Sequence, residues 1–413
     1  MKFLFVHQNF PGQYLHLARH LGASGKHEVV YITQRRDASA LPGVKKIVYK
    51  PQRLITPGMH HYLRDAEAGI LNAQEVARVA LSLKNSGFVP DVMVGHNGWG
   101  EIWYLKEVFP DTPLIGYFEF FYSLYGADVG FDPADMPGFD AGPRIRTKNT
   151  GNLLGLDVAD IGQCPTQWQR SRYPERYHSK LNVVHEGINT DLIVPDPTAW
   201  LHIADSSQNI SAGNEIVTYV ARNLEPYRGF RSFMRSLPSI LSRRPNARVI
   251  IVGGDEVSYG AALPDGKTYR QQMMQEVGNE LDLTRVHFVG KVPHTTFTKI
   301  LQVSRVHVYL TYPFVLSWSM LEAMSAGCLV VGSATAPVQE VIRHGENGLL
   351  VDFFSSEEIA DRVVEVLESA GDYEQMRKNA RQTVIENYDL KTICLPRQLK
   401  LLQKAIDRTS LMA

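Results

Sequence analysis

The chain has 413 residues, 44% hydrophobic and 21% charged, and its 43 Lys and Arg balance 43 Asp and Glu. That length is long for one core and natural for two α/β domains. The even charge argues against a nucleic-acid partner, and no apolar run approaches the roughly 20 residues that span a bilayer. Three scattered cysteines, Cys164, Cys328 and Cys394, lack metal-ligand spacing; with no signal-peptide plan at the start, a cytoplasmic protein is expected.

Charge is uneven along the chain. Over residues 1–55, Lys2, Arg19, Lys26, Arg35, Arg36, Lys45, Lys46, Lys50 and Arg53 face only Glu28 and Asp37. This excess reads either as a solvated face or as a surface for peripheral contact with anionic lipid or a phosphorylated acceptor. Oligomeric state leaves no signal.

Residues 2–7 read as a buried strand, followed by the loop 8–13 (QNFPGQ) and a helix with Tyr14, Leu17, Ala18 and Leu21 on one face. A second strand is expected at 27–33. The opening is Rossmann-like but lacks G-x-G-x-x-G; Gly12 is the only glycine in the loop, so a usual dinucleotide site is not expected. Residues 57–86 show helical periodicity. His60 and His61 near its start are adjacent and cannot share a helix face, which argues against a metal pair. A strand at 91–95 ends in His96-Asn97-Gly98-Trp99-Gly100. The carboxyl end of a parallel strand is where α/β sheets bind ligands, and an imidazole there can donate or accept. The strand 113–117 runs into an aromatic segment, FEFFYSLY, that is either core or a contact for an acceptor sugar or lipid. Glu119 is its only carboxylate, and Glu119, Phe120 and Tyr122 are the acceptor-binding candidates. Residues 132–142 read as an ordered loop. Arg144, Arg146 and Lys148 precede a helix through Ala159, then come a strand at 160–164, Thr166 as N-cap of a helix at 167–173, and a last strand at 181–185.

Residues 195–214, rich in Pro and Ser, read as a linker. A strand at 216–221 then ends in R-N-L-E-P-Y-R-G-F, with two cations, Arg222 and Arg228, ahead of a helix. Further strands are expected at 248–253 and 286–289, the latter followed by Gly290-Lys291-Val292-Pro293. The stretch 311–352 is the densest in signal. It predicts a strand at 306–310, a helix at 317–326 ended by a left-handed Gly327, a strand at 328–332 and a second helix opening near Pro337. Two helix N-termini beside strand ends offer free N–H groups to a phosphate. Helices at 356–370, with Ser356, Glu357 and Glu358 as its start, at 373–387 and at 390–408 complete the chain.

The run L-E-A-M-S-A-G-C-L-V-V-G-S, then P-V-Q-E-V-I-R-H-G-E-N-G-L-L-V, resembles the donor-site signature of retaining glycosyltransferase family 4. H-E-G-I-N-T-D at 185–191 resembles that family's P-N-G-x-D turn. The resemblance implies an α/β GT-B fold, two Rossmann-like domains with parallel sheets facing across a cleft. These would be an acceptor-side domain at 1–195, a linker at 196–214, a nucleotide-sugar domain at 215–387 and a C-terminal helix at 388–413 packing back on the first. It implies transfer, with retention, of a hexose or deoxyhexose from a nucleoside diphosphate sugar, UDP- or GDP-linked, to a hydroxyl of a glycan or lipid-linked acceptor. No further cofactor is implied, and no D-x-D motif argues for a metal.

Residue by residue, the resemblance places Gly12 over the donor phosphates, His96 on the transferred sugar, Arg222 and Arg228 on the diphosphate, and Lys291 along the nucleobase. Glu322 matches the second of the family's two glutamates eight positions apart and would accept from ribose hydroxyls. The first falls on Phe314, a departure. Ser317, Ser319 or Trp318 then help to hold the sugar, or the sugar lacks the hydroxyl concerned, or activity is lost; Glu340 is the nearest remaining carboxylate by pattern. A non-catalytic nucleotide-sugar-binding protein and a GT-B nucleotide-sugar 2-epimerase are the alternatives.

Overall fold

In the first strand, β1 (Lys2–Val6), Phe3 and Phe5 enter one cluster of buried side chains and Leu4 and Val6 another. A strand apolar on both faces belongs in a parallel sheet covered on both sides. The computed structural model, which describes residues 1–203 and 209–410 (without the side chains of 408–410), shows that arrangement. The strands β1, β2 (Glu28–Thr33), β3 (Val44–Val48), β4 (Val92–His96), β5 (Leu114–Tyr117), β6 (Ile161–Cys164) and β7 (Leu181–Val183) form one sheet in the order β3-β2-β1-β4-β5-β6-β7. Every pairing in it is parallel. One face packs on Ala73, Val76, Ala80 and Leu83 of the helix Arg64–Asn85, with Trp103 and Leu156. The other packs on the helices Leu15–Ala23 and Leu395–Ser410, through Leu17, Leu21, Leu401, Leu402 and Ala405. Gln398 Nε2 donates to the carbonyls of His185 and Glu186 at 3.2 and 3.0 Å, so the C-terminal helix belongs to this unit. The unit comprises Met1–Gly187 and Leu390–Ala413, of which 411–413 lie outside the described residues.

The second unit, Ile188–Asp389, repeats the plan. After β8 (Trp200–His202) and β9 (Asn209–Ser211) come β10 (Ile216–Asn223), β11 (Arg248–Gly254), β12 (Val286–Gly290), β13 (Val306–Tyr309), β14 (Leu329–Ser333) and β15 (Leu349–Val351). The last six form an all-parallel sheet in the order β12-β11-β10-β13-β14-β15. Each sheet reverses its winding once, between β1 and β4 and between β10 and β13. Such a reversal opens a crevice beyond the carboxyl ends of the strands.

Several sequence expectations are corrected. The 196–214 stretch is not a plain linker: β8 and β9 pair as an antiparallel hairpin, and Ala199, Ile203 and Ile210 pack against Ile216, Ile250 and Ile300. Three apolar residues among Ser, Asn and Pro hide that pattern; residues 204–208 of the stretch lie outside the described residues. The strand β3, V-K-K-I-V, escapes notice because its lysines interrupt the apolar run, as suits an edge strand. Arg144, Arg146 and Lys148 precede the helix Thr150–Val158 as expected, but they also sit in a helix of their own, Ala141–Lys148, which the sequence reading left out. The helix near Pro337 is one turn, Ala336–Gln339. The helix Ser356–Glu368 starts at Ser356 as expected, with Glu357 and Glu358 in its first turn, and Ser355 caps it, its side chain accepting from the Glu358 N–H. Thr166 caps Gln167–Arg172 by accepting from the Gln169 N–H. Among the described residues, no helix is long and apolar enough to cross a membrane.

Candidate active site

At the winding reversal of the first sheet, two imidazoles meet. His7 follows β1 and His96 ends β4, with ring centroids 4.8 Å apart; Trp99 lies against both, and Tyr117 stacks on His96 at 5.1 Å. Both histidines are buried. Burial pushes His7 down to about 4 and His96 well below its ordinary value, so both rings are neutral at physiological pH. The His7 Nδ1 accepts the Asn9 N–H at 2.9 Å, and its Nε2 meets Gln13 Oε1 at 2.6 Å. Gln13 Nε2 in turn donates to Glu119 Oε1 at 3.2 Å. The His96 Nδ1 accepts the Gly98 N–H at 2.9 Å, which places the proton on Nε2. That Nε2 is buried without a hydrogen-bond partner among the described residues; Glu119 Oε2, at 3.8 Å, is too far for a hydrogen bond.

A cavity of about 260 Å³ is lined by His96, Trp99, Glu119, Phe120, Tyr122 and Lys148, among others. Phe120 is mostly core, edge-on to Tyr122 at 5.1 Å and tilted against Trp168. Tyr122 carries the Lys148 ammonium 4.0 Å from its ring centroid, within cation–π range. Asn97 anchors the adjoining helix: its Nδ2 donates to the Gly151 carbonyl and Asn152 Oδ1, while Trp103 Nε1 donates to its Oδ1. Gly12 has φ +49°, and a Cβ on it would lie 2.6 Å from His7 Nε2. The His96, Glu119, Phe120 and Tyr122 picked out by sequence thus share one cavity, with Gly12 against the His7 that adjoins it.

In the second unit Arg222 stands exposed near the end of β10. Lys291, just past β12, ion-pairs with Glu256. The Lys291 pair, then the Arg222 charge, holds the Glu256 carboxyl below the usual range, so both cations face one carboxylate region. Glu225, fully buried, accepts the N–H groups of Ser258, Tyr259 and Gly260 at 3.1, 3.0 and 2.9 Å and fixes the loop that bears Tyr259. Arg228 is not a second exposed cation. It is buried, its Nη1 donates to Tyr309 Oη, Thr311 Oγ1 and the Val315 carbonyl at 3.2, 2.8 and 2.9 Å, and Tyr259 covers it at 5.3 Å. Arg228 ends the turn Pro226–Arg228, in which its guanidinium faces inward.

The helix Trp318–Ser325 starts at an N-cap, Ser317, whose side chain accepts from the Ser319 N–H and whose own N–H donates to Tyr309 Oη. Trp318 is 39% exposed. Glu322, one turn in, lies 2.9 Å through Oε1 from His294 Nε2. Phe314 is buried against Tyr227 and Tyr259, at 5.4 and 5.1 Å, so an aromatic cluster fills the place of the first glutamate. Glu340 is the exposed C-cap of the one-turn helix Ala336–Gln339. Among the described residues, no group of three His, Cys, Asp or Glu is placed to hold a metal.

Sequence reading missed His7, Gln13 and Trp99 in the first unit and Glu225 and His294 in the second; it weighed Lys148 as a solvated base or a phosphate contact and did not connect it with Tyr122. His7 carries the signal that marks His96, a polar residue at the end of an apolar strand. Nothing local pairs His294 with Glu322, 28 residues away.

Comparison with known proteins adds the following. A family model described as Glycosyl transferase family 4 group matches residues 25–193, and one described as Glycosyl transferases group 1 matches 203–383. The chain is similar to the GDP-mannose-dependent alpha-(1-6)-phosphatidylinositol monomannoside mannosyltransferase of Mycobacterium tuberculosis, 26% identical over 229 residues, 51% of this chain and 53% of that protein. It is similar to the N-acetyl-alpha-D-glucosaminyl L-malate synthase of Bacillus anthracis, 28% identical over 266 residues, 60% of this chain and 65% of that protein. The chain spans about half the length of the curated relatives it matches first. In structure it is similar to the sucrose-phosphate synthase of Thermosynechococcus elongatus, TM-score 0.70 at 18% identity, covering 98% of each chain. It is also similar to Anabaena HepE in complex with UDP and glucose, TM-score 0.66 at 16% identity, covering 98% of this chain and 100% of that one. At such identities the likeness bears on fold alone, and the fold is GT-B.

Proposed function

Because this chain belongs to the glycosyltransferases of family 4, group 1, we propose that it transfers a hexose or deoxyhexose, with retention, from a UDP- or GDP-linked sugar to a hydroxyl of a glycan or lipid-linked acceptor. The observation that carries this reading is the edge of the second sheet: exposed Arg222 at the end of β10, and the capped helix Trp318–Ser325 with Glu322 one turn inside. A helix N-terminus and a guanidinium are the two protein groups best suited to a diphosphate, and stabilising the departing diphosphate lowers the barrier to transfer. Glu322 accepts from the ribose hydroxyls. Arg228 acts from beneath, holding the Thr311–Val315 backbone in place. Lys291 lies along the nucleobase. UDP in the solved relative and GDP-mannose in the curated one motivate these two bases.

The first unit supplies the acceptor side. The His96 Nε2–H, neutral and without a partner among the described residues, donates to a sugar hydroxyl; Glu119 accepts from an acceptor hydroxyl, and Tyr122 offers a ring face. Buried Phe314 removes the carboxylate that would grip the donor sugar. This favours a sugar lacking the corresponding hydroxyl, and it is the one observation that speaks for the second reading, a non-catalytic nucleotide-sugar-binding protein. No metal enters this scheme.

Thermal unfolding with UDP-, GDP-, ADP- and dTDP-sugars and their free diphosphates tests the donor site, because a ligand of the folded state raises its apparent stability. One base is expected to raise the unfolding temperature of the wild type, with the increment lost in Arg222→Ala and Glu322→Ala. No increment with any of them would overturn the donor site. An increment without labelled-sugar transfer to glycan or lipid acceptors would leave the binding protein as the reading.

A further inference from the structure

The second sheet has another concavity, at its opposite edge. Ser304 and Arg305 precede β13 and Gly327 precedes β14, so a cavity of about 530 Å³ lined by them lies at the amino ends of the strands, across the sheet from Arg222 and Trp318. One wall is the helix Glu374–Tyr388. Its Glu374, Arg377, Lys378 and Arg381 follow at i, i+3, i+4 and i+7 and share one face; all four line the cavity, while Pro195, Pro197, Val303 and Ala326 make an apolar wall.

The charges here do not cancel. Lys378 pairs with Glu374 at 2.8 Å. Asp196 accepts the N–H and hydroxyl of Thr198 at 2.9 and 2.7 Å. Arg381 donates to the carbonyls of Thr190, Ile193 and Ser325. Arg381 keeps its charge but spends its donors on these carbonyls; two guanidinium groups keep open donors. The half-buried Arg305 side chain has no hydrogen bond or ion pair among the described residues. Arg377 gives Nη2 to the Arg305 carbonyl at 2.9 Å, and its Nε is buried without a partner. Burial, and then the Arg305 charge, lower the Arg377 guanidinium below its ordinary value, outweighing the opposite pull of Cys328 and Glu374. Two adjacent, partly desolvated guanidinium groups destabilise one another and the fold unless an anion joins them.

We propose that this cavity binds a small phosphomonoester, its phosphate between Arg305 and Arg377 and its organic body against Pro195, Pro197 and Val303. A phosphomonoester near neutral pH carries about −1.5 to −2 charges, which matches two guanidinium groups, and guanidinium forks bind such oxygens in pairs; a monocarboxylate neutralises only one. The volume lies within the usual range for small-ligand sites. Arg381, on the same helix face, is hydrogen-bonded to Ser325, the last residue of the helix Trp318–Ser325.

The test uses the whole chain at constant ionic strength, with glucose 6-phosphate, inorganic phosphate, glucose and acetate as probes, each with and without saturating UDP and GDP. The two phosphate probes are expected to raise the unfolding temperature of the wild type, glucose and acetate to leave it unchanged, and UDP and GDP not to compete. Arg305→Met is expected to weaken glucose 6-phosphate at least tenfold and, in the ligand-free protein, to raise rather than lower the unfolding temperature, because a repulsion is removed. Arg377→Met should lose the same response, and Arg222→Ala should keep it. Equal affinity in the wild type and Arg305→Met, full competition by UDP or GDP, or no response of the wild type to either phosphate probe would each overturn the site.

Discussion

His294 Nε2 lies 2.9 Å from Glu322 Oε1, and the hydrogen bond to this carboxylate raises the His294 imidazole above its ordinary 6.5. A histidine raised in the folded state contributes stability below its unfolded value and loses it as pH rises through the folded one. His294 is more than half exposed, so that contribution is small. The titration itself is the test: Glu322→Gln should bring the His294 value, followed by NMR, down toward 6.5. An unchanged titration would show that the pair does not form in solution.

Glu101 gives a larger pH effect. It is fully buried, Tyr49 Oη donates to its Oε1 at 2.9 Å, and its Oε2 has no partner among the described residues. Burial pushes its carboxyl up from 4.5 to about 7. The sign is that of a raised acid: the contribution is whole below pH 4.5 and is lost as pH rises through about 7, amounting to roughly 3 kcal/mol by pH 8. Glu101→Gln keeps the acceptor and removes the charge. Its urea stability, relative to wild type, should rise between pH 5 and pH 8; parallel curves would refute the assignment.

Gly12→Ala should cost about 1–2 kcal/mol for its left-handed backbone alone. The new Cβ must also displace the His7 imidazole and with it the His7–Gln13–Glu119 chain. Sugar transfer, followed with a labelled donor, is expected to fall about 10²-fold, the scale of a misplacement near 1 Å; wild-type rates would show that Gly12 is only a turn residue.

Replacing Arg228 by Lys keeps the charge but cannot serve Tyr309, Thr311 and Val315 together. We expect a loss of about 2–3 kcal/mol in urea unfolding, from buried acceptors left without donors. A neutral result would return Arg228 to the role of a free cation.

His96→Ala and Glu119→Gln address the cavity proposed for the acceptor. Both should lower sugar transfer by about 10²–10³-fold, the usual effect of removing one preorganised polar group, without changing the unfolding-temperature increment that UDP or GDP produces. Loss of that increment in either variant would place the residue on the donor instead.

Much of this was legible in the sequence. The apolar runs of β1, β4, β10 and β14 marked strands, the family resemblance implied that they lie in parallel sheets, and Gly327 ended its helix with φ +82°; Ser317, expected inside that helix, is its cap. His96, Glu119, Phe120 and Tyr122 could be nominated because each sits at or just past a strand end. The hairpin of β8 and β9 was hidden by polar composition, and β3 by its two lysines.

Signals such as apolar strand runs, helix caps and left-handed glycines act within a few residues, so the sequence alone determined most strands and helices of the two units and the helix that ends at Gly327, while their parallel pairing followed from the family resemblance. Tertiary structure decided what no local signal carries. His7 meets His96 because β1 and β4 are neighbours at the reversal of winding, Arg228 turns inward because Tyr309 and Thr311 offer it acceptors, and His294 reaches Glu322. Arg305 and Arg377, 72 residues apart, are brought to one cavity by the packing of the helix Glu374–Tyr388. Each of these depends on the register between segments distant in sequence, which only burial of the whole core sets.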